Sequence, residues 1–177
     1  MRHNERSSAY IGMTKENPPR DLEKRLQGIL SSSHELDARF QEATEEIARS
    51  FEARTCTLHQ ADAAEEWLHL RGSVGLPEHL IAVTQKIPFG KGMAGICAER
   101  RQRISVCDLQ TDDSGVVRPG AKETKVAGAV VVPLLAEGKV KGTLGIGKSD
   151  DHEFSDDEVR LLERCGVVLM QAFRANS

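Results

Sequence analysis

A chain of 177 residues with 39% hydrophobic content is sized for one core, which at this length buries about 70% of the surface exposed when unfolded. The formal net charge of −3, with both signs mixed and no sustained basic block, argues against nucleic-acid binding by phosphate neutralisation. No apolar run approaches the roughly 18 residues of a membrane span, and the polar start Met1 to Arg6 lacks the apolar core of a signal peptide, so the expected compartment is the cytoplasm. Cys56, Cys97, Cys107 and Cys165 are scattered without a Cys-x-x-Cys pair. In a reducing compartment they read as small buried hydrophobes rather than a disulfide framework.

Residues 1–19 mix charge with Ser, Asn and the pair Pro18-Pro19, and read as a flexible tail ahead of a single domain over 20–177. Leu22, Leu26, Ile29 and Leu30 recur at helical spacing, and the stripe resumes with Leu36, Phe40, Ala43, Ile47 and Phe51. Ser32 and Glu35 have the spacing of a capping box, which favours a second helix over one continuous rod. Residues 54–60 and 66–73 read as a hairpin. If positions 58 and 68 oppose each other, Cys56, Leu58, Leu68 and Leu70 share a core face. Thr57, His59, Trp67 and His69 then share the other, suited to solvent or the floor of a polar pocket.

A short helix over 77–83 and an extended segment over 85–88 lead into Phe89-Gly90-Lys91-Gly92-Met93-Ala94-Gly95. This contains Gly-x-Gly-x-x-Gly, but a dinucleotide site needs an early strand-turn-helix unit in a buried parallel sheet, with an acidic residue about 20 positions on. Here the motif is mid-chain, its helix has room only for residues 93–101, and the following strand-like run 104–108 is short. Read without a nucleotide, the motif still offers Lys91 and the free N–H groups of a helix start to an anion. Its glycines are equally accounted for by a tight strand-to-helix turn.

The loop from Leu109 to Lys125 carries Asp112, Asp113, Arg118, Lys122, Glu123 and Lys125, and Arg118 has the planar fork suited to a carboxylate or phosphate. Two strands follow, Val130-Val131-Val132-Pro133-Leu134 and, after a turn at Gly138, Val140 to Ile146. Ser155 and Glu158 form a second capping-box pattern, opening a helix with Val159, Leu162, Cys165, Leu169, Ala172 and Phe173 on one stripe. Leu161, Val167, Val168 and Met170 widen that stripe, so the helix needs a second packing surface besides the sheet.

The Gly-Lys-Gly-x-x-Gly helix start, the Val-Val-Pro-Leu strand, the Leu-Gly-Ile strand after a Gly turn and the capped last helix, in this order, resemble the GAF domain over about residues 34–176. The resemblance implies an α+β fold related to the PAS fold: a six-stranded antiparallel sheet with helices on one face and a ligand pocket on the other. The pocket would be closed by the helix after Gly92 and the loop after Asp108. It further implies a sensory module acting as a homodimer through its terminal helices, with Leu169 and Phe173 at the shared surface, and signalling to a partner protein. The ligand would be a small anion or a nucleotide, and the residues expected around it are Trp67, His69, Phe89, Lys91, Gly92, Met93, Gly95, Cys97, Cys107, Asp108 and Arg118.

Neither a metal nor haem is expected, since His59 and His69 lack the spacing of metal motifs and no carboxylate or Cys cluster accompanies them. The cyclic-nucleotide branch of the family carries Asn-Lys, then Phe, then Asp-Glu. This chain has Gly147-Lys148, Phe154 and Asp157-Glu158, with the Asn missing and the spacing one residue short. The alternative of another class is the enzymatic branch, free methionine-(R)-sulfoxide reductase, which needs a thiolate and a resolving cysteine. Where that branch places them, this chain has Ala94 and about Lys122; Cys97 and Cys107 lie out of register.

Overall fold

The computed structural model describes residues 21–173, so the expected tail over 1–19 lies outside the described residues. Its elements in chain order are α1 (Leu22–Leu30), α2 (Leu36–Ser50), β1 (Thr55–Ala61), β2 (Trp67–Val74), α3 (Glu78–Thr84), β3 (Lys86–Pro88), α4 (Gly92–Arg100), β4 (Ile104–Val106), a 3-10 helix (Pro119–Thr124), β5 (Ala129–Ala136), β6 (Lys139–Gly147) and α5 (Asp156–Phe173). Six strands form one antiparallel sheet in the order β3-β2-β1-β6-β5-β4. This is the expected GAF-like α+β architecture, and an all-antiparallel sheet has no place for the parallel dinucleotide unit.

One face of the sheet carries α2 over β1 and β2, α5 over β5 and β6, and α1 against both helices. The main core lies there, with Leu22, Leu26, Phe40, Ile47, Leu58, Leu144, Leu162 and Leu169 buried. Phe40 and Phe173 meet with ring centroids 5.3 Å apart. The wide apolar surface of α5 therefore finds its second partner within the chain. Leu169 is fully buried and Phe173 is 6% exposed, which removes the ground for placing these two side chains at a surface shared between subunits.

Local signals worked at one helix start and failed at another. Ser155 N–H donates to Glu158 Oε2 at 2.8 Å and Glu158 N–H to Ser155 Oγ at 3.2 Å, the reciprocal capping box. At α2 the cap position is Glu35, without a side-chain cap bond, and Ser32 Oγ is buried without a partner. The break between α1 and α2 is real, but the Ser32 to Glu35 box does not form.

The β1–β2 pairing also departs from expectation. Leu58 opposes Gly72, and His59 opposes Leu70, so Arg71 is an extra residue in β2 and the pleat changes face across it. The bulge turns Arg71 back over the ring of Phe40, 5.2 Å from its centroid, on the helical face. Gly72 is the residue that permits this, because a Cβ there would lie 2.9 Å from the Phe40 carbonyl oxygen. Cys56 and Leu58 keep their place in the main core. Leu68 instead packs with Ile87, Ala98 and Val140 under α4, and Leu70 shares the face of its partner His59.

Candidate ligand-binding site

The opposite face of the sheet is covered by α3, α4 and the loop of residues 109–125, and between them lies a cavity of about 430 Å³. Its floor is built by alternation: Thr55, Thr57 and His59 project from β1, with Gly145 of β6 and Ala129 and Val131 of β5 beside them. One wall is Leu76, Leu80, Val83 and Thr84, from α3 and the turn before it; the other is Ile87 with Lys91, Gly92, Met93 and Ala94 at the start of α4. Leu109, Arg118, Ala121, Thr124 and Val126 close it from the loop. That loop is ordered around its 3-10 helix. Arg54 Nε donates to the Thr124 carbonyl at 2.8 Å, Gln110 Nε2 to the Val126 carbonyl at 2.7 Å, and His79 of α3 meets Glu123 at 2.5 Å across the mouth.

The glycine motif serves the turn into α4. Gly90 and Gly92 have φ of +82° and +63°, and a Cβ on Gly95 would lie 2.4 Å from the Pro88 carbonyl oxygen. The turn leaves the first N–H groups of α4 without a side-chain cap, and the residues that carry them, Gly92, Met93 and Ala94, line the cavity. The stem of Arg118 lies over this turn, and a Cβ on Gly92 would come within 2.8 Å of its Cδ. Arg118 and Lys91 both line the cavity, and neither side chain has a hydrogen bond or ion pair with a described residue. Among the described residues, no Asp, Glu or Cys lines the cavity.

Of the expected ligand set, Lys91, Gly92, Met93 and Arg118 line this cavity and the others do not. Phe89 packs beneath α4 against the cluster of Leu68, Ile87, Ala98 and Val140. Gly95 is buried in the turn. Trp67 and His69 point away from the cavity because the bulge puts Leu68 on its side; Lys86 stacks on the Trp67 ring at 4.2 Å. Cys97 is buried and its thiol faces the Val131 carbonyl at 3.6 Å, with burial pushing its pKa up to about 12. Cys56 and Cys165 are buried too, but Cys107 is exposed, against the reading of all four as buried hydrophobes. Asp108 organises the loop, its carboxylate accepting from Thr111 Oγ1 at 2.7 Å and Gln110 N–H at 3.0 Å, bonds that hold its pKa below the usual value.

The side chain missing from the expected set is His59. It is 2% exposed, and its Nε2 lies 3.1 Å from the Thr84 carbonyl oxygen. A carbonyl only accepts, so Nε2 carries the proton and Nδ1 presents a lone pair. Nδ1 is buried without a partner among the described residues. Burial pushes the pKa down to about 4, so the ring is neutral near pH 7. The alternation Thr55, Thr57, His59 held the signal for a polar pocket floor; the contact with α3 was not visible locally. Lys148 and Glu158, considered above as part of a cyclic-nucleotide motif, approach to 3.9 Å, and His152 Nε2 lies 3.0 Å from the same carboxylate.

A family model described as GAF domain matches residues 33–173. No curated protein matches the chain. Among solved structures, the chain is similar to free methionine-R-sulfoxide reductase from Neisseria meningitidis in complex with its substrate, at 18% identity and a TM-score of 0.71, covering 88% of each chain. It is also similar to the GAF domain of a phosphoenolpyruvate-protein phosphotransferase from Coxiella burnetii, at 19% identity and a TM-score of 0.70, covering 88% of this chain and 94% of that one. The reduced free methionine sulfoxide reductase of Staphylococcus aureus matches at 20% identity and a TM-score of 0.69, over 90% of this chain and 99% of the other. At these identities the likeness concerns the fold, which sensors and enzymes share.

Proposed function

Since the chain belongs to the GAF domain family, whose fold is often a sensory or regulatory module, we propose that it senses a small anionic molecule bound between the sheet, α3, α4 and the 109–125 loop. The observation that carries this reading is the charge of the cavity. Lys91 and Arg118 stand at its mouth beside the uncapped start of α4, and no carboxylate of the described residues lines it. The walls are otherwise apolar, which suits an acid with an apolar body over a bare inorganic ion. Binding would draw the loop, through Arg118, onto α4 and so convert occupancy into a change of surface that a partner protein can read.

A ligand that binds only the folded state stabilises it by about 2.7 kcal/mol at a hundredfold excess over Kd. For a domain of this size that is a rise in melting temperature of several degrees. In a thermal-shift screen of organic acids and nucleotides, Arg118→Ala should erase the rise given by an anionic hit. The ligand-free melting temperature should stay nearly unchanged, because Arg118 is exposed and holds no partner among the described residues. A hit that stabilises both proteins equally would remove Arg118 from the site.

The reductase alternative meets two obstacles in the same cavity. It needs a thiolate at the ligand, whereas Ala94 lines the wall and the nearby Cys97 is a buried thiol with a raised pKa. Free methionine sulfoxide also carries an ammonium group, and the lining offers no carboxylate to pair with it. With thioredoxin and its reductase as electron donors, the protein is expected to show no turnover of free methionine sulfoxide. Turnover abolished by Cys97→Ser or Cys107→Ser would establish the enzyme and end the sensor reading.

A further inference from the structure

Nδ1 of His59 is an acceptor with nothing to accept. The ring is held from both sides: its backbone lies mid-sheet between β2 and β6, and Nε2 is committed to the Thr84 carbonyl of α3. It therefore cannot turn its lone pair to another donor without breaking that bond. A buried acceptor left unpaired is costly, and native interiors rarely carry one without a reason. Directly across the ladder, Thr143 on β6 opposes His59 and shares its face, and its Oγ1 is likewise buried without a partner. Of these two only His59 lines the cavity, so its floor offers one orphaned acceptor, while the exposed cations Lys91 and Arg118 line the same cavity.

We propose that the molecule held here is a hydroxylated organic acid: a carboxylate facing Lys91, Arg118 and the start of α4, an apolar body between α3 and the sheet, and a neutral hydroxyl that donates to Nδ1 of His59. This deepens the anion-sensing reading and rests on it. A neutral hydroxyl fits the floor better than an ammonium group because no Asp or Glu lines the cavity, and a buried cation without a counter-charge is strongly disfavoured. Free α-amino acids should accordingly bind more weakly than the matching acids without an ammonium group. Discrimination should be steep. A site built to meet a substrate hydroxyl rejects the deoxy analogue strongly, because its own polar group is then left unpaired.

The test uses the full chain and matched pairs of acids: 4-hydroxyphenylacetate with phenylacetate, and 3-(4-hydroxyphenyl)propanoate with 3-phenylpropanoate, with tyrosine as the ammonium-bearing control. Binding is measured by calorimetry on the wild type, His59→Gln and His59→Asn. Gln keeps an amide donor within reach of the Thr84 carbonyl and loses the Nδ1 acceptor; Asn keeps an acceptor near the Nδ1 position. The expected result is a preference of at least about tenfold for the hydroxy acid in one or both pairs, with tyrosine weaker than either member. His59→Gln should reduce the preference to within about threefold while leaving the deoxy acid's affinity unchanged, and His59→Asn should keep part of it. Equal binding within both pairs, or a preference that survives His59→Gln, overturns the hydroxyl assignment while the anion site stands. If no acid of the series binds at millimolar concentration, the assignment falls, while the anion-sensing reading stands or falls by the wider screen of organic acids and nucleotides. Should both His59 variants unfold, hydroxy-over-deoxy discrimination by the wild type decides in their place: a preference of at least about tenfold supports the assignment, and equal binding overturns it.

Discussion

In urea denaturation followed by circular dichroism, Leu169→Asp is expected to lose at least about 4 kcal/mol and to unfold as a chain rather than dissociate as an assembly. Leu169 is fully buried in the main core beneath α5. Truncating a buried leucine costs about 2–5 kcal/mol, and the carboxylate adds an unpaired charge or, if protonated, an unpaired polar group. Against a total stability of about 5–15 kcal/mol, that removes most of the margin. Val167→Asp is the control, two residues away on the same helix but 53% exposed; surface changes of this kind usually stay within about 0.5 kcal/mol. If Leu169→Asp kept the wild-type urea midpoint and changed only the sedimentation coefficient, the packing of α5 against α1, α2 and the sheet would be wrong.

The wild type should also lose about 2.5 kcal/mol more stability than His59→Gln as pH falls from 7.5 to 4.5. The sign follows from the protons. Unfolded, His59 titrates near 6.5; folded, burial holds it at about 4. Between those values the unfolded chain binds a proton that the folded chain does not, so stability declines as pH drops through this window and is fully present above 6.5. Carboxylates held below their usual values, such as Glu158, lose stability in the same direction, although the largest influence on Glu158 itself, partial burial, works the other way. For this reason the difference between the two proteins is the quantity to measure. Paired urea titrations at the two pH values supply it, and parallel declines in both proteins would mean that the histidine is hydrated and free to charge when folded. A ligand donating to Nδ1 should further disfavour protonation, so a saturating ligand would push the wild-type decline to lower pH.

What the sequence determined by itself lies within a few residues of each signal. The Ser155 to Glu158 cap, the Gly138 turn joining β5 to β6, and the glycine turn into α4 all depend on backbone conformation and on partners within about seven positions, so turn chemistry and period were enough. Order and spacing of those pieces then carried the fold. Lys91, Gly92 and Met93 were legible at the site because a helix start is a local feature that must face something. Only the tertiary structure decided the rest. The bulge at Arg71 exchanges the faces of Leu68 and Trp67, because strand register is a property of the pair and one extra residue reverses a pleat with a period of two. It also decided that α5 spends its wide apolar surface on α1, α2 and the sheet, since hydrophobic burial has no preferred partner and periodicity shows only that a surface must be covered. Cys97 and Cys107 are one residue type ten positions apart; one is buried on the sheet-facing side of α4 and the other is exposed. His59 acquired its tautomer, its neutrality and its idle lone pair only when Thr84, 25 residues away, brought a carbonyl oxygen to Nε2.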